Sequence, residues 1–305
     1  MPGAGFESWL EVTGPTVWRA ESIAGAVLPA LTSGARGRVH SAFRRALNLE
    51  MAGGDLIALL SRPPGRVPNG VHLADEVDFL TAGLDVGRPC QVVDGQLRLR
   101  DDLLVDLRWA PPWSLDLAPV APGPPERLAA NRQRIRVRAR VEPPLLDPAR
   151  ALARALKTLE PERVESAVWS LVALGPGLTP SGDDLLLGAL AVLQAADHPA
   201  APIVAGAVIG ALGRTTPLSA ALLRLAAAGQ HAELIGRLAA ALLAGDGLDV
   251  EVALDDLLVQ ASSSARSAAY GALVGLDAVA GWRRSADLGA ILAEPIPRSG
   301  VSASS

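Results

Sequence analysis

The residues best equipped for chemistry lie in one short run, LGPGLTPSGDDLLLG, from Leu174 to Gly188. Gly175, Gly177 and Gly182 bare the backbone beside the hydroxyls of Thr179 and Ser181, and two adjacent carboxylates, Asp183 and Asp184, follow at once. Glycine tolerates the left-handed backbone that ends one helix, and the free N–H groups that begin the next bind carboxylate or phosphate oxygens. Carboxylates beside such donors accept protons, receive N–H groups or hold a hydrated magnesium ion. Asp183 and Asp184 are therefore the candidate catalytic residues, and the loop residues the candidate anion contacts. A plainer reading needs only a helix start: Thr179 as N-cap with Pro180 at the first helical position, or Ser181 with Asp184 as a capping box. Either way both acids fall in the first turn, where the helix dipole favours each by about 0.3–1 kcal/mol. An ordinary cap uses one hydroxyl and one acid; here both are doubled, which favours a functional loop.

Two later stretches add candidates. RTTPLS offers Arg214, Thr215, Thr216 and Ser219 as a cation and hydroxyl donors, and ASSSARS offers Ser263 and Ser264. Each has a structural alternative: Arg214 suits a helix C-terminus, Thr215 or Thr216 can cap a helix opened by Pro217, and Ser262 to Ser264 can form a cap. His40, His72, His198 and His231 are scattered without metal-ligand spacing, so no zinc site is expected. No cofactor is implied, although the acidic loop is compatible with magnesium.

These residues need elements to position them. From 36 to 120, short apolar runs punctuated by glycine, proline and aspartate predict a β-rich domain, with Gly53-Gly54 and Asp94-Gly95 as hairpin turns. A connecting segment, 121–146, carries Arg132, Arg134, Arg136, Arg138 and Arg140 at a spacing of two, which predicts a strand with one basic face. From 147 to 293, Ala- and Leu-rich runs with breaks at Pro161, Gly175 to Gly177, His198-Pro199, Gly213 to Pro217, Gly229, Gly245 to Gly247 and Gly281 predict an α-helical domain. Segment 1–35 precedes these domains, and 294–305 is expected to be a disordered tail. The fold class expected is α+β, with a β-rich domain followed by a helical one that holds the motifs.

Composition narrows the partners. The 305 residues carry a net charge of −4, which argues against nucleic acid or an anionic membrane surface. The arginine-rich segment lacks the interleaved aromatics that stack bases. A single cysteine, Cys90, rules out an internal disulfide and suits the cytoplasm. Glu7, Glu11, Arg19 and Glu21 interrupt the early residues, so no export signal is expected. The most apolar stretch, Leu185 to Leu212, is broken by Asp197, His198 and Pro199 before either half reaches the roughly 20 residues a bilayer needs, and predicts two buried helices.

An internal echo links two candidate segments. SGDDLLLGAL from Ser181 and SARSAAYGAL from Ser264 align without gaps, matching Ser181 with Ser264, Gly188 with Gly271, and the Ala-Leu pair that follows. As a degenerate duplication, it would set two helix starts facing one another across a pocket.

LGPGLTPSGDDLLLGAL, RTTPLSAALLRLAAAG and ASSSARSAAYGALVGL resemble three successive blocks of a bacterial domain-of-unknown-function family. That family includes a subunit of the oxamate carbamoyltransferase complex of allantoin breakdown. FRRALNLEM, PNGVHLA and DFLTAGLDVG match it more loosely. The resemblance implies a subunit of a hetero-oligomeric complex that transfers a carbamoyl group between phosphate and a small amide or carboxylate metabolite. Asp183 or Asp184 would then orient an amide or take its proton. In the third block the family pattern carries a glycine and an acid where this chain has Ala265 and Ser267. Two other classes stay open: a non-catalytic metabolite-binding or scaffold subunit, and a stand-alone small-molecule kinase. The loop loosely resembles the phosphate loop of kinases of the galactokinase and homoserine kinase type, but it has no Walker lysine, and its two acids would repel a nucleotide phosphate.

Overall fold

Alternation of apolar and polar residues along short strands builds the first half of the chain. The computed structural model describes residues 14–62, 65–259 and 263–293, with side chains to 282. The expected tail, 294–305, the first thirteen residues and Ser262 lie outside the described residues. The chain divides into two units, Met1–Pro64 with Asn69–Ser114, and Gly65–Pro68 with Leu115–Ser305.

The first unit contains strands β1 (Thr16–Ala24), β2 (Arg36–Ala42), β3 (Ala46–Met51), β4 (Leu56–Leu60), β5 (Gly70–Leu73), β6 (Pro89–Val93), β7 (Gln96–Arg100), β8 (Leu103–Asp106) and β9 (Pro112–Trp113). They hydrogen-bond in the order β5-β4-β3-β2-β6-β7-β8-β1-β9, and β5 also pairs antiparallel with β1 through Ile23 and Val71. That last pairing closes eight strands into a barrel, which removes the sheet edges. Leu47, Leu49, Ile57, Leu59, Val71, Val92, Leu97 and Val105 fill the core. The Asp94-Gly95 hairpin joins β6 to β7 with both residues at positive φ, as a two-residue turn requires. β1 begins well before residue 36, where the sequence placed the start of this domain.

The second unit contains helices α1 (Pro125–Arg138), α2 (Pro143–Thr158), α3 (Pro161–Leu171), α4 (Ser181–Ala195), α5 (Ala200–Ala211), α6 (Pro217–Ala227), α7 (Glu233–Ala244), α8 (Gly247–Leu258) and α9 (Ser263–Ala293). The α+β class read from the sequence is the one observed. The arginine-rich segment differs: it is helix α1, not a strand. Leu128, Asn131 and Ile135 bury one side of it, and the arginines spread around the rest, Arg132 to Asp277 and Arg138 to Glu251 and Asp255. The period of two in the arginines concealed the helical spacing of the buried residues. Gly281 also fails to break its helix; α9 runs through it.

α4 is apolar nearly all round and lies in the core, as such a helix must. It pairs with α9 at a very close approach. A Cβ on Gly188 would overlap the Ala268 carbonyl oxygen, and one on Gly271 would overlap that of Leu185. The expected turn at Asp197 to Pro199 separates α4 from α5, and no helix among the described residues is long and apolar enough to cross a membrane.

Candidate functional site

The loop between α3 and α4 is shaped by backbone that only certain residues tolerate. Ala173, Gly175 and Gly177 all have positive φ, and a Cβ on Gly182 would overlap the Leu171 carbonyl oxygen. The chain thus folds back tightly onto the end of α3, so that α4 begins against it. Neither expected cap forms: Pro180 occupies the N-cap position, not the first helical one, and no side chain bonds the first-turn amides among the described residues. The Gly182 N–H donates to Leu174 O at 2.8 Å, and the Asp183 and Asp184 N–H groups to Pro180 O at 2.9 and 3.2 Å. The Gly182 N–H, a donor expected to face an anion, is therefore committed to neighbouring chain, as are the two amides that follow it.

The two carboxylates have separate roles. Asp183 is fully buried; its Oδ1 accepts from the Ala173 N–H at 2.9 Å and its Oδ2 from the Thr215 hydroxyl. It ties the α3–α4 loop to the segment before α6. Asp184 is 5% exposed, and its Oδ2 has no hydrogen-bond partner among the described residues. Burial pushes its pKa up to about 7, the Ser264 hydroxyl opposes that shift, and the charge of Asp183 adds to it. A buried polar atom without a partner is costly and rare, so this oxygen is the strongest local sign of a missing ligand.

Asp184 lines a cavity of about 210 Å³ within the helical unit. Thr179 and Ser264 line it too, their hydroxyls 2.9 Å apart, which ties the start of α9 to the loop before α4. Leu187, Leu222, Leu234, Ile235 and Leu257 give apolar walls. Gly65–Pro68, between β4 and β5 in sequence, belongs to this unit and completes the wall. Arg66 holds it there: its N–H donates to a Glu233 carboxylate oxygen at 3.1 Å, and its carbonyl accepts the Glu233 N–H at 2.9 Å.

Of the residues the sequence singled out, Thr179, Asp184 and Ser264 meet in the cavity. Gly175, Gly177, Ser181, Gly182 and Asp183 shape or brace its floor without lining it. Thr216 caps α6, accepting the Ser219 N–H at 3.1 Å while its hydroxyl donates to Leu178 O at 2.5 Å. Thr215 serves Asp183. Ser219 is buried, Ser263 is exposed, and Arg214 is exposed over the Trp169 ring, 5.6 Å from its centroid. The cavity's other polar residues, Arg66, Gln230 and His231, were not signalled by the loop motif. No three His, Cys, Asp or Glu residues are grouped to hold a metal ion among the described residues.

The aligned pair Gly188 and Gly271 has equivalent contacts, because Ala268 and Leu185, whose carbonyls they approach, are also an aligned pair. The echo in the sequence therefore marks two parallel-starting helices that cross face to face, with both starts at the cavity.

Comparison with protein families gives two matches: residues 19–112 match a model described as the AllH family N-terminal domain, and residues 171–276 one described as oxamate carbamoyltransferase subunit AllH. Comparison with curated proteins and with solved structures gives no match.

Proposed function

The chain belongs to the AllH family, and on that premise we propose that it serves in the cytoplasm as a subunit of an oxamate carbamoyltransferase-type complex, contributing the cavity beside α4 to binding of a small amide or carboxylate metabolite. In that role Asp184 orients the ligand's amide nitrogen and takes its proton as the carbamoyl group moves between that nitrogen and phosphate. One observation carries this reading: Asp184, almost wholly buried and lining a cavity framed by the family-matched segment, has a carboxylate oxygen without a partner among the described residues.

A carboxyl group with a pKa near the working pH is half charged and half protonated, the best compromise for moving a proton in either direction. Arg66 brings positive charge to the same lining, suited to a ligand carboxylate. Asp183 is a positioning residue, since both its oxygens are engaged by Ala173 and Thr215. Ser267 is buried on α9 and is not part of the cavity lining, so the acid that the family pattern carries at this position is not needed to supply the carboxylate there. A kinase-like phosphate cradle is disfavoured by the committed amides of Gly182, Asp183 and Asp184.

The reading is tested by affinity purification of the full chain from its native cell, followed by carbamoyl-phosphate-dependent assays on whatever is recovered. Co-purifying partners and carbamoyl transfer to oxamate are expected. Recovery of the chain alone, without transfer, would overturn the subunit role.

A further inference from the structure

His231 is a second buried titratable group on the same cavity, and the local fold leaves it little freedom. α6 ends in a glycine-based stop: Gly229 has a φ of +86°, its N–H donates to Ala226 O at 3.0 Å, and the Gln230 N–H donates to Leu225 O at 2.9 Å. His231 follows directly, with its N–H on Leu115 O at 3.3 Å. Across the cavity wall, Gln194 of α4 donates its amide Nε2–H to Ala226 O at 3.0 Å, which turns its Oε1 toward His231 Nε2 at 2.5 Å. A carbonyl oxygen only accepts, so Nε2 carries the imidazole proton and Nδ1 keeps the lone pair. His231 is 2% exposed, and burial pushes its pKa down to about 4, so the ring stays neutral. His231, its Nδ1 an acceptor, and Asp184, its Oδ2 without a hydrogen-bond partner among the described residues, both line this cavity, whose other polar residues are Arg66, Thr179, Gln230 and Ser264.

Resting on the ligand-site reading above, we infer that His231, held in one tautomer by Gln194, is a second ligand contact, and that the cavity receives the N–H face of a small uncharged amide or ureide group and not a phosphate. Two acceptors match the two hydrogens of a primary amide. A phosphate would set its own oxygens against both of them and has no N–H to offer. The phosphate group of the co-substrate therefore lies outside this cavity.

The test is calorimetric titration of the full chain with oxamate and, separately, with inorganic phosphate. Wild type, His231→Ala and Gln194→Leu are compared, with the ring nitrogens of ¹⁵N-histidine-labelled wild type followed by NMR. Oxamate is expected to bind wild type and to shift the Nδ1 resonance of His231. His231→Ala should bind about tenfold or more weakly, as loss of a buried hydrogen-bond partner implies. Phosphate should not compete. Gln194→Leu should weaken binding and give both imidazole tautomers in the free protein, a change that a merely space-filling role would not produce. If oxamate binds but the His231 resonances do not move, or His231→Ala binds equally well, the inference falls while the Asp184 cavity stands. Competition by phosphate, or no binding of oxamate, overturns the inference and the ligand-site reading together.

Discussion

Gly188 of α4 and Gly271 of α9 make equivalent contacts across the helix pair, each with a carbonyl oxygen of the other helix, of Ala268 and of Leu185, where its own Cβ would be. Backbone meets backbone there, so neither helix can yield by rotating a side chain. Gly188→Ala should cost about 3 kcal/mol or more, at the upper end of overpacking changes, despite alanine's better helix propensity. Urea denaturation of the variant checks this; a stability equal to wild type would contradict the close approach.

Asp183 should prove indispensable to folding rather than to chemistry. Asp183→Ala strands the Ala173 N–H and the Thr215 hydroxyl inside the protein, at an expected cost of about 2–4 kcal/mol. Thr215→Val removes one of the same partners and should cost less. Denaturation midpoints of the two variants give the order.

Asp184 should behave in the opposite way. Its folded pKa, about 7, lies above the ordinary 3.8, so the native state holds the proton more tightly than the unfolded chain. Stability is then full below about pH 4, falls as the pH rises toward 7, and levels off above it. Burial, the Ser264 hydroxyl and the charge of Asp183 set this balance. Asp184→Asn should flatten that slope and stabilise the protein at pH 8 by on the order of 2–4 kcal/mol, while weakening function. Thermal melts from pH 4 to pH 8 read it directly, and an unchanged slope would argue against a buried, protonated carboxyl.

Cys90 is buried on β6, and burial raises its thiol pKa to about 11, so it is neither ionised nor accessible at pH 8. A disulfide reagent should label it only when the protein is unfolded in urea. Fast labelling of the native chain would contradict the barrel core.

Much of this was legible in the residues themselves. Asp94-Gly95, Pro161, Gly229 and Pro217 marked turns and helix ends because glycine and proline act through local backbone sterics alone. The doubled acids at Asp183 and Asp184 marked the loop, and the Gly188–Gly271 echo marked the paired helices. The division of labour between the acids was hidden, because it depends on Thr215 and Ala173 reaching one and an open cavity facing the other. His231 was hidden for the same reason: a lone histidine after Gly229 carries no spacing signal, and only the fold brings it near Gln194. The barrel closure between β1 and β5 is likewise a nonlocal pairing, and the arginines of α1 suggested a period that their buried neighbours contradict.

The most direct measurement is the rate of carbamoyl transfer by the complex assembled on Asp184→Asn, compared with the wild-type complex. The assembly should be intact and its rate lower by about a hundredfold or more, as loss of a general base implies. An intact assembly that turns over at the wild-type rate would contradict that role.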